Sequence, residues 1–76
     1  MSLGSQIRQA RLAAGMSQAV LAARAGIHAN TVARIERGEI RNPRVALVVS
    51  LAHALGVTVE DLGAPDAPVQ TGGDIR

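Results

Sequence analysis

Asn30, Arg34 and Arg37 recur at helical spacing, and with Ala33 they fall on one arc of a helical wheel. Val32 and Ile35 point to the opposite side, and Ile27 precedes them. One face is therefore aliphatic and the other offers an amide and two guanidiniums. Those are the groups whose paired donors and acceptors match base edges, Asn with adenine N6 and N7 and Arg with guanine O6 and N7. Any solvated helix face is polar, so the meaning of this one depends on what holds it.

What holds it is the stretch Gln18–Arg37, which reads as a short helix, a glycine turn and a second short helix. Ala22, four residues before Gly26, is small enough for two helices to cross closely. Gly26 adopts a positive φ at little cost. This arrangement sets the angle between two helices and leaves the polar face of the second one free, as entry into a DNA major groove requires.

The other predicted elements follow from stop and start signals. A first helix is expected from about Leu3 to Ala14, with Leu3, Ile7 and Ala10 forming its apolar stripe and Gly15 ending it. Ser17 caps the second helix, Gln18 to about Arg24. The third covers about Ala29 to Arg37, with His28 a weak cap and Gly38 as its stop. Asn42-Pro43 opens a fourth, which runs to Leu55 and ends at Gly56. Thr58 caps a last short helix, Val59 to Leu62. The expected fold is all-α, a compact five-helix bundle over residues 1–63. Residues 64–76, GAPDAPVQTGGDIR from Gly63 onward, read as a flexible tail or linker.

Composition narrows the function. At 76 residues the chain makes one domain. It has no Cys, so no disulfide framework and no thiolate metal site, and its two His, His28 and His53, lack a carboxylate cluster for zinc. No cofactor is expected. The chain has no aromatic residue, which removes the stacking platforms of single-strand binders. Neither a Ser/His/Asp arrangement nor paired carboxylates point to catalysis, so an enzyme is not expected. No apolar run approaches the ~20 residues of a membrane span and no signal peptide opens the chain, so the expected location is the cytoplasm.

The net charge is only +2, with every basic residue an Arg. The isoelectric point of about 11.2 overstates the basicity, because no Lys, Tyr or Cys titrates. Distribution matters more. Arg34, Arg37, Arg41 and Arg44 stand against Glu36 and Glu39 within eleven positions, whereas Asp66 and Asp74 lie in the tail. Arg37, Arg41, Asn42 and Arg44 surround the loop after the third helix, where contacts to phosphate would give affinity and register without sequence information. Gln18 opens the second helix, whose free N–H groups and positive dipole end favour a phosphate, though Gln is also simply tolerated there. Arg11 and Glu36, near the ends of the first and third helices, form either an ion pair or two unrelated surface charges.

These residues resemble the helix-turn-helix domain of the Cro and C1 repressors and the xenobiotic-response-element regulators, a lambda-repressor-like fold. The resemblance runs from about Ile7 to Leu62. It rests on R-x-x-x-G-M-S-Q at Arg11–Gln18, L-A at Leu21–Ala22, I-E-R-G at Ile35–Gly38, N-P at Asn42–Pro43 and L-A-x-A-L-G-V at Leu51–Val57. It implies sequence-specific binding of double-stranded DNA by a transcriptional regulator. Ala29, Asn30 and Arg34 would face bases. Gln18, His28, Thr31, Arg37, Arg41, Asn42 and Arg44 would face phosphates, and Arg11 would pair with Glu36. His28 stands where the family usually has Ser or Thr, and Ala29 where some relatives carry a long polar reader.

Such domains usually act as dimers on a repeated site, with two recognition helices about 34 Å apart. Ala46, Val49 and His53 share one side of the fourth helix, and Val57, Val59 and Leu62 add apolar area at its end. These residues would form a homodimer contact or equally complete a small aliphatic core. From another class, an antitoxin or other protein-interaction module could use the same scaffold.

Overall fold

The computed structural model describes residues 2–63. Four α-helices follow one another: α1 Leu3–Ala13, α2 Gln18–Ala25, α3 Ala29–Glu36 and α4 Val45–Leu55. The tail expected from residue 64 onward lies outside the described residues.

Local chemistry accounts for the boundaries. Ser2 and Ser17 each accept a backbone N–H three residues on, from Ser5 at 3.1 Å and from Val20 at 3.0 Å, and so start α1 and α2. Between α2 and α3, Gly26 has φ +74°, and the Ile27 N–H returns to the Ala22 carbonyl at 2.9 Å. A Cβ at Gly26 would meet nothing within 4 Å. Glycine is required there by its positive φ, not by crowding. Crowding acts instead at Ala22, which is 2% exposed.

Two boundaries differ from expectation. α4 starts at Val45, not at Asn42-Pro43, because the backbone stays extended through Arg44 (ψ 149°). Arg44 occupies the cap position and supplies the first carbonyl, which accepts from Leu47 and Val48. Its side chain makes no capping bond. The fifth element is a single 3-10 turn, Glu60–Leu62, so the described residues form four α-helices plus that turn. Gly63, at φ +70°, closes it after three residues, leaving room only for i→i+3 bonds. Thr58 and Asp61 brace it reciprocally, each side chain accepting the other's backbone N–H at 3.1 and 3.0 Å.

The core is aliphatic throughout. Ile7, Leu21, Val32, Ile35, Leu51 and Leu62 are its fully buried large side chains. α2 packs on α3 and α4, while α1 packs on α3 and the 3-10 turn. α3 is thereby held along one face only.

The closest approach is at Gly4, buried within α1, where an added Cβ would be driven into the Ile35 carbonyl oxygen and within 3.0 Å of the Glu36 carbonyl oxygen. Both atoms are backbone and belong to the last turn of α3. Gly4→Ala is therefore expected to destabilise the protein by about 1–3 kcal/mol, although Ala is ordinarily the better helix former. Urea unfolding followed by circular dichroism measures this, and a variant as stable as the parent would mean that α1 shifts freely on α3.

Candidate nucleic-acid interface

The amphipathic reading of α3 holds at its extremes. Val32 is 0% and Ile35 1% exposed, whereas Ala29, Asn30, Arg34 and Arg37 are exposed. Ala33, expected on the free arc, is half-buried, and so is Thr31. His28 caps α3 with extended backbone but without a side-chain hydrogen bond, so its imidazole is not committed to the helix.

The far end of α3 is anchored by charge. Arg11 Nε donates to Glu36 Oε2 at 2.7 Å and Arg11 Nη2 to Glu36 Oε1 at 3.0 Å. The two side chains are 9% and 4% exposed, so the pair is bidentate and largely desolvated. Arg11 Nη1 also donates to the Met16 carbonyl at 2.9 Å. One guanidinium thus joins the end of α1, the loop leading into α2 and the last residue of α3.

Gln18 enters the same network. Its Nε2 donates to Glu36 Oε1 at 3.1 Å, so this amide is turned toward the protein and only half-exposed. The amide has a second N–H. Spacing alone placed Gln18 at the mouth of α2 and gave no sign that Glu36 would engage it.

Burial pushes the Glu36 carboxyl up, but the hydrogen bonds from Arg11 and Gln18, with the charges of Arg11 and Arg8, outweigh it and hold the pKa below the ordinary value. A carboxyl depressed in the folded state stabilises fully above its unfolded pKa, near 4.5. That contribution disappears as pH falls through the lower folded value. The thermal midpoint is expected to decline with acid below about pH 4.5, and Glu36→Gln to flatten that decline. An unchanged acid profile in the Gln variant would assign the decline to other carboxylates.

Around α3 the structure gathers several basic groups. His28, Thr31, Asn42 and Arg44 line a cleft of about 640 Å³ together with the apolar Ile27, Ile40 and Leu47. Arg41, Asn42 and Arg44 are exposed, and among the described residues neither Arg41 nor Arg44 forms an ion pair. Arg34 and Arg37, by contrast, both meet Glu39. Arg37 Nε lies 2.7 Å from Oε2, and Arg34 Nε 3.4 Å from Oε1. Sequence reasoning counted Glu39 only as an opposing charge. Its position one residue beyond a helix-stopping glycine is the signal that would have marked it.

The candidate dimer residues separate into three groups. Ala46, Val49 and His53 are exposed, joined by Val45, while Val57 and Val59 are half-buried. Leu62 is 1% exposed and belongs to the core, because the 3-10 turn folds it inward against α1. It is not available to a partner. Among the described residues no helix is long and apolar enough to cross a membrane, and no group of three His, Asp or Glu could hold a metal.

Known proteins share this fold. A helix-turn-helix family model covers residues 7–62. The restriction-modification controller protein C.AhdI from Aeromonas hydrophila is similar over 79% of this chain and 89% of its own, with 35% identity and a TM-score of 0.75. SinR, a master regulator for biofilm formation solved in complex with DNA, shows 32% identity and a TM-score of 0.76 over 79% of this chain and 95% of its own. The P22 c2 repressor, solved with a synthetic operator, shows 26% identity and a TM-score of 0.75 over 82% of this chain and 92% of its own.

Proposed function

The chain belongs to the Cro/C1-type helix-turn-helix family, and from that premise we propose that it is a transcriptional regulator that binds double-stranded DNA sequence-specifically in the cytoplasm. α3 enters the major groove. Asn30 and Arg34 read base edges, and Ala29 offers a methyl for contact with thymine. Arg37, Arg41, Asn42 and Arg44, with His28 and Thr31 across the cleft, face the flanking phosphates. Gln18 uses its second N–H toward a phosphate beside the open end of α2 while Glu36 holds the first.

The observation that carries this reading is the division of α3. Val32 and Ile35 are sealed in the core, and Asn30 and Arg34 stand clear of it. Any solvated face is polar, but this one carries an amide and a guanidinium suited to base edges, on a helix held by its opposite face against α1 and α2. The guanidiniums of Arg41 and Arg44, which form no ion pair among the described residues, supply the counterpart for phosphate.

One reading helix contacts few bases, so the working unit is a homodimer. Ala46, Val49 and His53, extended by Val45, form its contact, and the two α3 helices enter successive major grooves about 34 Å apart. Selection from a random duplex pool at physiological salt tests both parts together. The expected product is a palindrome with half-sites about one helical turn apart. A pool no different from its starting state would reject the DNA role. A single unrepeated half-site, with a monomer in sedimentation at high concentration, would reject the dimer alone.

A further inference from the structure

We propose that Glu39 is a positioning residue that tethers Arg34 so that its guanidinium is presented to a base before DNA arrives. This rests on the DNA-binding reading above.

The backbone makes the tether possible. Gly38 has φ +81°, and the Glu39 N–H returns to the Arg34 carbonyl at 2.9 Å. The chain therefore doubles back over the last turn of α3, and Glu39 comes to lie beside Arg37 and Arg34, two and five positions before it. Its carboxylate is divided between two arginines, Oε2 to Arg37 Nε at 2.7 Å and Oε1 to Arg34 Nε at 3.4 Å. The hydrogen bond from Arg37 holds the Glu39 carboxyl below the ordinary range, so it is ionised at neutral pH.

Both contacts fall on Nε, the inner N–H of the guanidinium. The two terminal amines of Arg34 stay available for the O6 and N7 of a guanine. A long, otherwise free arginine loses much rotamer freedom when it binds, and a tether made beforehand reduces that loss. The same carboxylate carries a negative charge close to DNA and opposes binding at every sequence. Glu39 thus gives up general affinity and gains discrimination. Its ion pairs are half-exposed, so the fold does not depend on them.

The test compares the parent, Glu39→Ala, Glu39→Gln, Arg34→Ala and the Arg34→Ala/Glu39→Ala double variant. Each is titrated with the selected duplex, with duplexes changed at single base pairs, and with random duplex. Glu39→Ala is expected to bind random duplex more tightly yet lose about threefold to fivefold in discrimination, the scale of an exposed ion pair. That loss should fall at the base pair relaxed by Arg34→Ala and vanish in the double variant. Glu39→Gln, which keeps an acceptor, should recover part of it. Tighter binding at all sequences with unchanged discrimination would overturn the proposal and leave Glu39 as a simple electrostatic brake. A loss at a different base pair that persists without Arg34 would overturn it too, since Glu39 would then read a base itself. If the parent binds no duplex, the DNA-binding reading fails first.

Discussion

Arg11→Ala will cost about 3–5 kcal/mol of folding stability, because it leaves the buried Glu36 carboxylate with one hydrogen bond, from Gln18, and no paired cation. A chain of 76 residues has roughly 4–11 kcal/mol of total stability, so this variant stands close to unfolding. The loss is the penalty of an uncompensated charge rather than the net worth of the pair. Replacing both partners with apolar residues of similar volume, Arg11→Met with Glu36→Leu, should therefore recover most of it. Urea unfolding of the two variants checks this. A loss under ~1 kcal/mol in Arg11→Ala, the level of an exposed pair, would show that the guanidinium is not the fastening between α1 and α3. Because the Met16 carbonyl also loses its donor, the loop before α2 should gain faster amide exchange.

Arg34→Ala will lower discrimination between the selected site and single-base variants by about 1–3 kcal/mol, with the effect concentrated at one base pair. Arg44→Ala will weaken binding to all duplexes alike and reduce the slope of log K against log salt by about one phosphate contact. The contrast follows from position. Arg34 is exposed on α3, the helix proposed to read bases, while Arg44 lies outside α3, at the cap position of α4, and lines the cleft beside it. Removing Arg34 also leaves Glu39 with Arg37 alone, so the ratio between sites is the quantity to compare. Equal losses for both variants on selected and random DNA would refute the division of roles.

Much of the fold was legible because it is specified by short-range rules. Ser17 followed by an apolar repeat begins a helix, and Gly26 allows the backbone to reverse with φ +74°. The alternation of Val32 and Ile35 with Asn30 and Arg34 divides α3 into two faces wherever the helix is placed. The Arg11–Glu36 pair was legible as one of two alternatives, and burial decided between them. The N-terminus of α4 was misplaced by two residues because Asn42-Pro43 satisfies the usual start signal, while the backbone stays extended as far as Arg44, which takes the cap position instead. Leu62 was placed among surface candidates because its spacing suits either role.

By itself the sequence determined the helix-turn-helix frame, its aliphatic core and the polar face of α3, since capping, glycine conformation and helical period act within a few residues. Only the tertiary structure decided which groups meet across distance. Gly4 is needed because the Ile35 backbone passes over it, thirty-one positions away. Gln18 is drawn to Glu36 because α2 and α3 close around one buried carboxylate. Glu39 reaches Arg34 and Arg37 because the chain turns back at Gly38. Contacts of this kind depend on packing geometry and desolvation, which no local pattern of residues encodes.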